Sequence, residues 1–250
     1  MNKSENCLIS VITSVLNGVQ TIEKSILSIL EQKRGFRFEY IIVDGGSTDG
    51  TLEVIKKYNY CIDRWISEPD AGIYSAWNKG LLLSSGKYVA FLGADDILEN
   101  GAMLAYSKYL DANPDIDYVS AKVRIIGGQN KVIGEALVWN RFCKHMTVAH
   151  VASLHNRCLY KKHGYYDESL RIVGDYEFLL RIGKNLKTGY INIVVASMGG
   201  CGVSNSMALK AIRETFMVKR RHKTSANLVI AIEFIVATLK ALLKRWLVKL

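Results

Sequence analysis

The chain has 250 residues, 49% of them hydrophobic, with 20 Gly and only 2 Pro; this composition belongs to a folded protein able to bury a full core, not to a disordered or fibrous segment. No run of about 18 uncharged apolar residues is available to span a bilayer, and the N-terminus reads as a first strand rather than a signal peptide. The net charge of +10 is gathered at one end, since residues 216–250 hold eight Lys or Arg against the single acid Glu233; the main domain therefore lacks the basic face of a nucleic-acid binder.

In chain order, β-rich runs are expected at Leu8–Thr13, Phe38–Val43, Cys61–Ile66 and Lys87–Leu92, separated by helical spacing at Thr21–Gln32, Thr51–Tyr58 and Ile73–Leu83. Strands alternating with helices predict an α/β fold, a Rossmann-like, mostly parallel sheet with helices on both faces. After Gly101 the pattern predicts a helix at Ala102–Ala112, strands at Asp117–Ile126 and Lys131–Val138, a helix at Tyr176–Gly183 and a strand at Thr188–Ala196. The organisation expected is a nucleotide-binding half over residues 1–100, an acceptor-binding half over 101–206, and a basic amphipathic helical tail over 207–250. Five cysteines, Cys7, Cys61, Cys143, Cys158 and Cys201, show no C-x-x-C spacing, which argues against a disulfide framework or zinc site and fits a reducing cytoplasm.

In parallel sheets ligands bind beyond the carboxyl ends of the strands, and the polar signals fall there. Asp44–Thr51 (DGGSTDGT) is either a well-capped turn or a loop whose glycines let backbone approach a ligand. Glu68–Gly80 (EPDAGIYSAWNKG) holds a tight turn and Lys79, a cation able to meet a phosphate or simply a solvated face residue. Asp95 and Asp96 end an apolar strand in FLGADD; the adjacent carboxylates repel and suit Mg²⁺ or Mn²⁺, the plainer alternative being Asp96 as the cap of a helix starting near Leu98. Asp175 in GDYEFLLR is either a helix N-cap or a general base. His150 and His155, five apart, would point to opposite faces of a strand and are read as two unrelated histidines.

DGGSTDGT, SEPDAGIYSAWNKG, FLGADD and GDYEFLLR, in this order, resemble the family 2 glycosyltransferases of bacterial polysaccharide and O-antigen synthesis, which have the GT-A fold; the resemblance runs from about Leu8 to Ser204. It implies an inverting enzyme taking a sugar from a UDP- or GDP-sugar. Thr13 and Asn17 would line the nucleotide pocket and Asp44 would bind the base. Asp70 and Gly72 would lie near ribose and diphosphate, with Asn78 and Lys79 just beyond. Asp95 would face the ribose or sugar, and Asp96 the Mn²⁺ or Mg²⁺ ion. Asp175 matches the catalytic base, while Gly174 stands where the family often has an acid; Ala94 likewise departs from an acid. Arg181 could reach the diphosphate or pair with Glu177.

In the tail, MVKRRHK and residues 227–250 predict an amphipathic helix with basic flanks and Trp246; its longest uncharged stretch, Thr224–Ile232, is nine residues. Two readings are open: a membrane interface, or packing on the domain or on a second copy in a homodimer. The first fits a polyprenyl-diphosphate-linked or oligosaccharide acceptor, which the resemblance implies, and a cytoplasmic protein peripheral on the inner face of the membrane. Two other classes fit the residues less well. A nucleic-acid binder leaves the acidic strand-end loops unexplained, and a sugar-phosphate nucleotidyltransferase would need a cationic loop where TSVLNG has none.

Overall fold

The first hundred residues fold as β1 (Ile9–Val15), α1 (Ile22–Lys33), β2 (Glu39–Asp44), α2 (Thr51–Lys57), β3 (Arg64–Ser67), α3 (Ile73–Leu83), β4 (Tyr88–Gly93) and β5 (Ile97–Leu98). Then come α4 (Ala102–Ala112), β6 (Tyr118–Ile126), β7 (Val132–Ile133), α5 (Trp139–Phe142), β8 (Leu154–Asn156) and α6 (Cys158–His163). The chain continues through α7 (Gly174–Ile182), β9 (Thr188–Gly199), α8 (Ala208–Arg221) and α9 (Asn227–Leu247). This computed structural model describes residues 8–33, 36–127, 131–199 and 207–247. Cys7, Cys201, Ser204 and the side chains of Lys244 and Trp246 lie outside the described residues.

Among the described residues the strands form a 9-stranded sheet in the order β3-β2-β1-β4-β8-β6-β9-β5, with β7 on β6. β3, β2, β1 and β4 are all parallel, as βαβ units require, whereas β8 enters antiparallel between β4 and β6. The period of two along each strand separates two cores. Ile9, Val11, Tyr40, Ile42, Tyr88 and Ala90 face α1, through Ile22, Ile26 and Ile29. Ile12, Ile41, Val43, Val89 and Phe91 face α3, through Tyr74, Trp77 and Leu81. Gly80 lets α3 approach: a Cβ there would stand 2.4 Å from Ile12 Cγ2.

Three elements differ from the sequence expectation. β1 runs two residues past Thr13, to Val15. No helix begins near Leu98; Ile97 and Leu98 instead pair with β9, so Asp96 caps nothing there. The strand expected over 131–138 is only Val132–Ile133, a short edge strand on β6.

Candidate active site

Asp44 ends β2 and Gly93 ends β4, and both lie level with the end of β1 between them, through Val15↔Asp44 and Ser14↔Gly93. The two loops are thus two strand spacings, about 10 Å, apart at one sheet edge. Asp44 is fully buried, its oxygens taken by the Ser47 hydroxyl at 2.5 Å, the Ser47 N–H at 3.1 Å and the Ser67 hydroxyl at 2.6 Å. It anchors the turn, and the base contact that the resemblance implies requires Ser47 to swing aside. Asn17, in the left-handed region at φ 52, accepts the Thr48 N–H at 2.9 Å and so ties the loop after β1 to the same turn. In the neighbouring loop Asp70 accepts the Gly72 N–H at 2.8 Å and lies over Gly45. Gly72, at φ 127, adopts a conformation that a side chain would strain.

Asp95 is exposed and Asp96 is buried. Both carboxylates close around Gly93, whose N–H donates to Asp96 at 2.8 Å. Burial first, and the Asp95 charge second, push the Asp96 carboxyl up to about 7, while the Gly93 N–H works against this. Among the described residues no cation of the chain contacts Asp96, and no set of three His, Cys, Asp or Glu gathers around a point. A pair of carboxylates lacking a counter-charge at an open sheet edge suits a hard divalent ion that takes its other ligands from water and phosphate.

Opposite, residues 171–175 run beside residues 72–74. α7 begins at Gly174, and its N-cap, Val173, makes no side-chain cap bond. The backbone N–H groups before it are held from elsewhere. Glu214 of α8, itself buried, accepts the N–H groups of Arg171 at 3.1 Å, Ile172 at 2.9 Å and Val173 at 3.3 Å. Asp175 is the second residue of α7 and not its N-cap; it projects from the first turn, where the Tyr74 hydroxyl donates to it at 3.4 Å. A Cβ on residue 174 would stand 2.7 Å from Tyr74 Cζ, so the Tyr74 ring fills the space of a side chain at that position.

The profile of the family described as Glycosyl transferase family 2 matches residues 10–164. The chain belongs to the family 2 glycosyltransferases. A PGL/p-HBAD biosynthesis glycosyltransferase from Mycobacterium bovis (strain BCG / Pasteur 1173P2) is 32% identical over 210 residues, covering 81% of each chain. S. aureus TarS 1-349 in complex with UDP-GlcNAc has a TM-score of 0.69 at 19% identity, over 84% of this chain and 66% of that one; the chain spans 39% of the longer TarS chain. The mannosyltransferase PcManGT from Pyrobaculum calidifontis, in complex with GDP-Man and Mn2+, has a TM-score of 0.67 at 16% identity, over 95% of this chain and 76% of that one. The fold is GT-A, and the nucleotidyltransferase alternative falls.

Within this glycosyltransferase, four of the residues expected to contact the donor have partners in the protein itself. Thr13 is fully buried in the extended β1, its hydroxyl beside that of Tyr40. Asn78 is a buried clamp, donating to the Tyr166 carbonyl at 3.0 Å and Glu168 at 2.8 Å and accepting the Tyr166 N–H at 3.0 Å. Lys79 is spent on its own loop, bonded to the Pro69 carbonyl at 2.9 Å and Glu68 at 2.8 Å. Arg181 pairs with Glu177 at 2.5 Å and donates to the His163 and Tyr165 carbonyls, which fixes α7 to α6 rather than reaching a phosphate. His150 and His155 are related after all, with ring centroids 5.2 Å apart. A turn through Ala152 at φ 57 separates them instead of a strand, and His150 stacks against Trp77 at 4.7 Å.

Tyr74, Arg171 and Glu214 lie against these residues and are not singled out by the sequence. Tyr74 lies inside SEPDAGIYSAWNKG, where it reads as a helix-face aromatic. Glu214 is 39 positions from Asp175, and nothing local marks it.

Proposed function

We propose that this family 2 glycosyltransferase is an inverting enzyme that moves a sugar from a UDP- or GDP-sugar to a hydroxyl of a polyprenyl-diphosphate-linked glycan, in cell-surface polysaccharide synthesis. The observation that carries the base assignment is the place of Asp175: it lies inside the first turn of α7, whose N-cap is Val173, and its carboxylate has Tyr74 as its one hydrogen-bond partner among the described residues. The acceptor hydroxyl attacks the anomeric carbon as Asp175 takes its proton, and the bond to the nucleoside diphosphate breaks on the opposite face. Asp70, Gly72 and the turn anchored by Asp44 cradle the nucleotide. Asp96, with Asp95, would hold the Mn²⁺ or Mg²⁺, which supplies Lewis-acid stabilisation of the departing diphosphate. The Mn2+ in PcManGT supports this choice of ion.

The tail supports a membrane-side acceptor. α8 is stapled to the domain by Glu214, by Lys219 on the Lys144 carbonyl and by Arg221 on Asp167 at 2.6 Å. α9 packs on α8 through Phe216 and Phe234, ring centroids 4.7 Å apart. It turns Leu228, Ile232, Ile235, Leu239 and Leu242 to solvent as one stripe about 21 Å long. No helix among the described residues is long and apolar enough to cross a membrane, so the stripe with its Lys and Arg flanks is read as an interfacial surface on the inner face of the cell membrane.

The test is Asp175→Asn, assayed by nucleoside diphosphate release. Donor binding should persist while kcat falls at least about 10²-fold. Near-normal turnover removes Asp175 from the mechanism.

A further inference from the structure

Cationic side chains add to a metal ion in stabilising a departing diphosphate, and both cations predicted from the sequence, Lys79 and Arg181, are consumed by the protein's own carboxylates and carbonyls. Arg171 is different. Its side chain is exposed, and its guanidinium makes no hydrogen bond or ion pair among the described residues. Its Nη1 lies 2.5 Å from where a Cβ on Gly72 would be, so the guanidinium rests directly over the glycine of the Asp70-Ala71-Gly72 turn. Carboxylates crowd this rim, with Asp70 on one side and Asp175 four residues along the chain. The backbone that carries it is held, because Glu214 accepts the Arg171 N–H and the two that follow.

We infer that Arg171 is the donor-diphosphate contact of this enzyme, held in place by Glu214 from the tail helix α8. The inference rests on the nucleotide-sugar reading above. A guanidinium presents paired N–H donors to phosphate oxygens and keeps its charge at every working pH. Held against Gly72, where no side chain intervenes, it meets a diphosphate lying along this turn without first losing a protein partner. Glu214 acts as a positioning residue for Arg171, through the backbone N–H groups of residues 171–173.

The experiment titrates the full chain, with Mn²⁺ present, with UDP, GDP, UMP and GMP by calorimetry. The expected wild-type result is a clear preference for one nucleoside diphosphate over its monophosphate. Arg171→Ala should lower affinity for that diphosphate by about 10- to 100-fold and leave the monophosphate within about twofold. Arg171→Lys should recover part of the loss, because charge remains and the fork is gone. Glu214→Ala should erode the same preference and lower kcat, whereas a purely structural role for Glu214 would weaken both nucleotides alike. If Arg171→Ala, folded by circular dichroism, keeps the wild-type ratio of diphosphate to monophosphate affinity, Arg171 does not touch the diphosphate and the proposal is wrong. If the wild-type chain shows no preference for either diphosphate, the donor reading itself is overturned, and this proposal falls with it.

Discussion

Replacing Asp96 by asparagine should make the metal-free protein more stable while removing its activity. The Asp96 carboxyl is buried, and burial together with Asp95 raises it from 3.8 to about 7. A carboxyl raised on folding contributes stability fully below pH about 4, where it is protonated in both states; that contribution is lost as pH rises through about 7, when the folded chain must hold a buried charge. A tenfold change in the protonation equilibrium corresponds to about 1.4 kcal/mol, so the charge costs up to about 4 kcal/mol at pH 8 and about 2 kcal/mol at pH 5. Asparagine keeps an oxygen for the Gly93 N–H and carries no charge, so Asp96→Asn should recover most of that cost. For a chain of this size the gain corresponds to a rise in Tm on the order of 10 °C at pH 8 and half that at pH 5, vanishing near pH 4. The assay is thermal unfolding of both proteins in EDTA at the three pH values, repeated with Mn²⁺. Mn²⁺ should raise Tm for the wild type alone, as mass action requires of a ligand that binds only the folded form. A variant less stable than the wild type at pH 8, or a difference independent of pH, refutes the reasoning.

Two further outcomes test other parts of the site. Gly174→Ala would force a methyl group into the Tyr74 ring, which Trp77 and Tyr166 hem in with centroids 5.2 and 5.6 Å away. Thermal unfolding should show a loss of about 1–3 kcal/mol, and kcat should fall as the Tyr74 hydroxyl leaves Asp175; unchanged values for both would mean that the ring has room to move. The full chain should sediment with vesicles rich in anionic lipid and not with neutral ones, more weakly as salt rises. The pair Leu239→Asp and Leu242→Asp should abolish this; equal binding by that variant, or a stable dimer through α9 in ultracentrifugation, would transfer the stripe to another partner.

The sheet edge was legible from the chain because its cause is local. Apolar runs of strand length, helical spacing between them and polar residues at each strand end place DGGSTDGT, EPDAG and FLGADD together through βαβ geometry alone. The pairing of Asp44 and Gly93 about the end of β1 follows from that register. Gly174 shows the opposite case. In the sequence it is only a departure from a family pattern, and packing alone reveals that the ring of a residue one hundred positions away occupies the space. Thr13, Asn78, Lys79 and Arg181 each have partners in the protein that the sequence leaves open: for Arg181 the structure shows the Glu177 pairing, one of its two expected roles, and for Asn78 the partners lie about ninety positions away.

Sequence by itself determined the alternating strands and helices, the carboxylates at the sheet edge and Asp175 near the start of α7, because these depend on residue type, period and spacing, and the resemblance of its four motifs pointed to the family and its GT-A fold. Tertiary structure alone decided which of those groups remain available. It buried Asp44 under two serines, bound Lys79 and Arg181 to the protein's own acceptors, left Arg171 over Gly72, and brought Glu214 back from the tail to the backbone before α7. The physical reason is that a charged or polar group is claimed by whatever partner folding brings within about 3 Å, and that distance is set by packing between elements far apart in the chain.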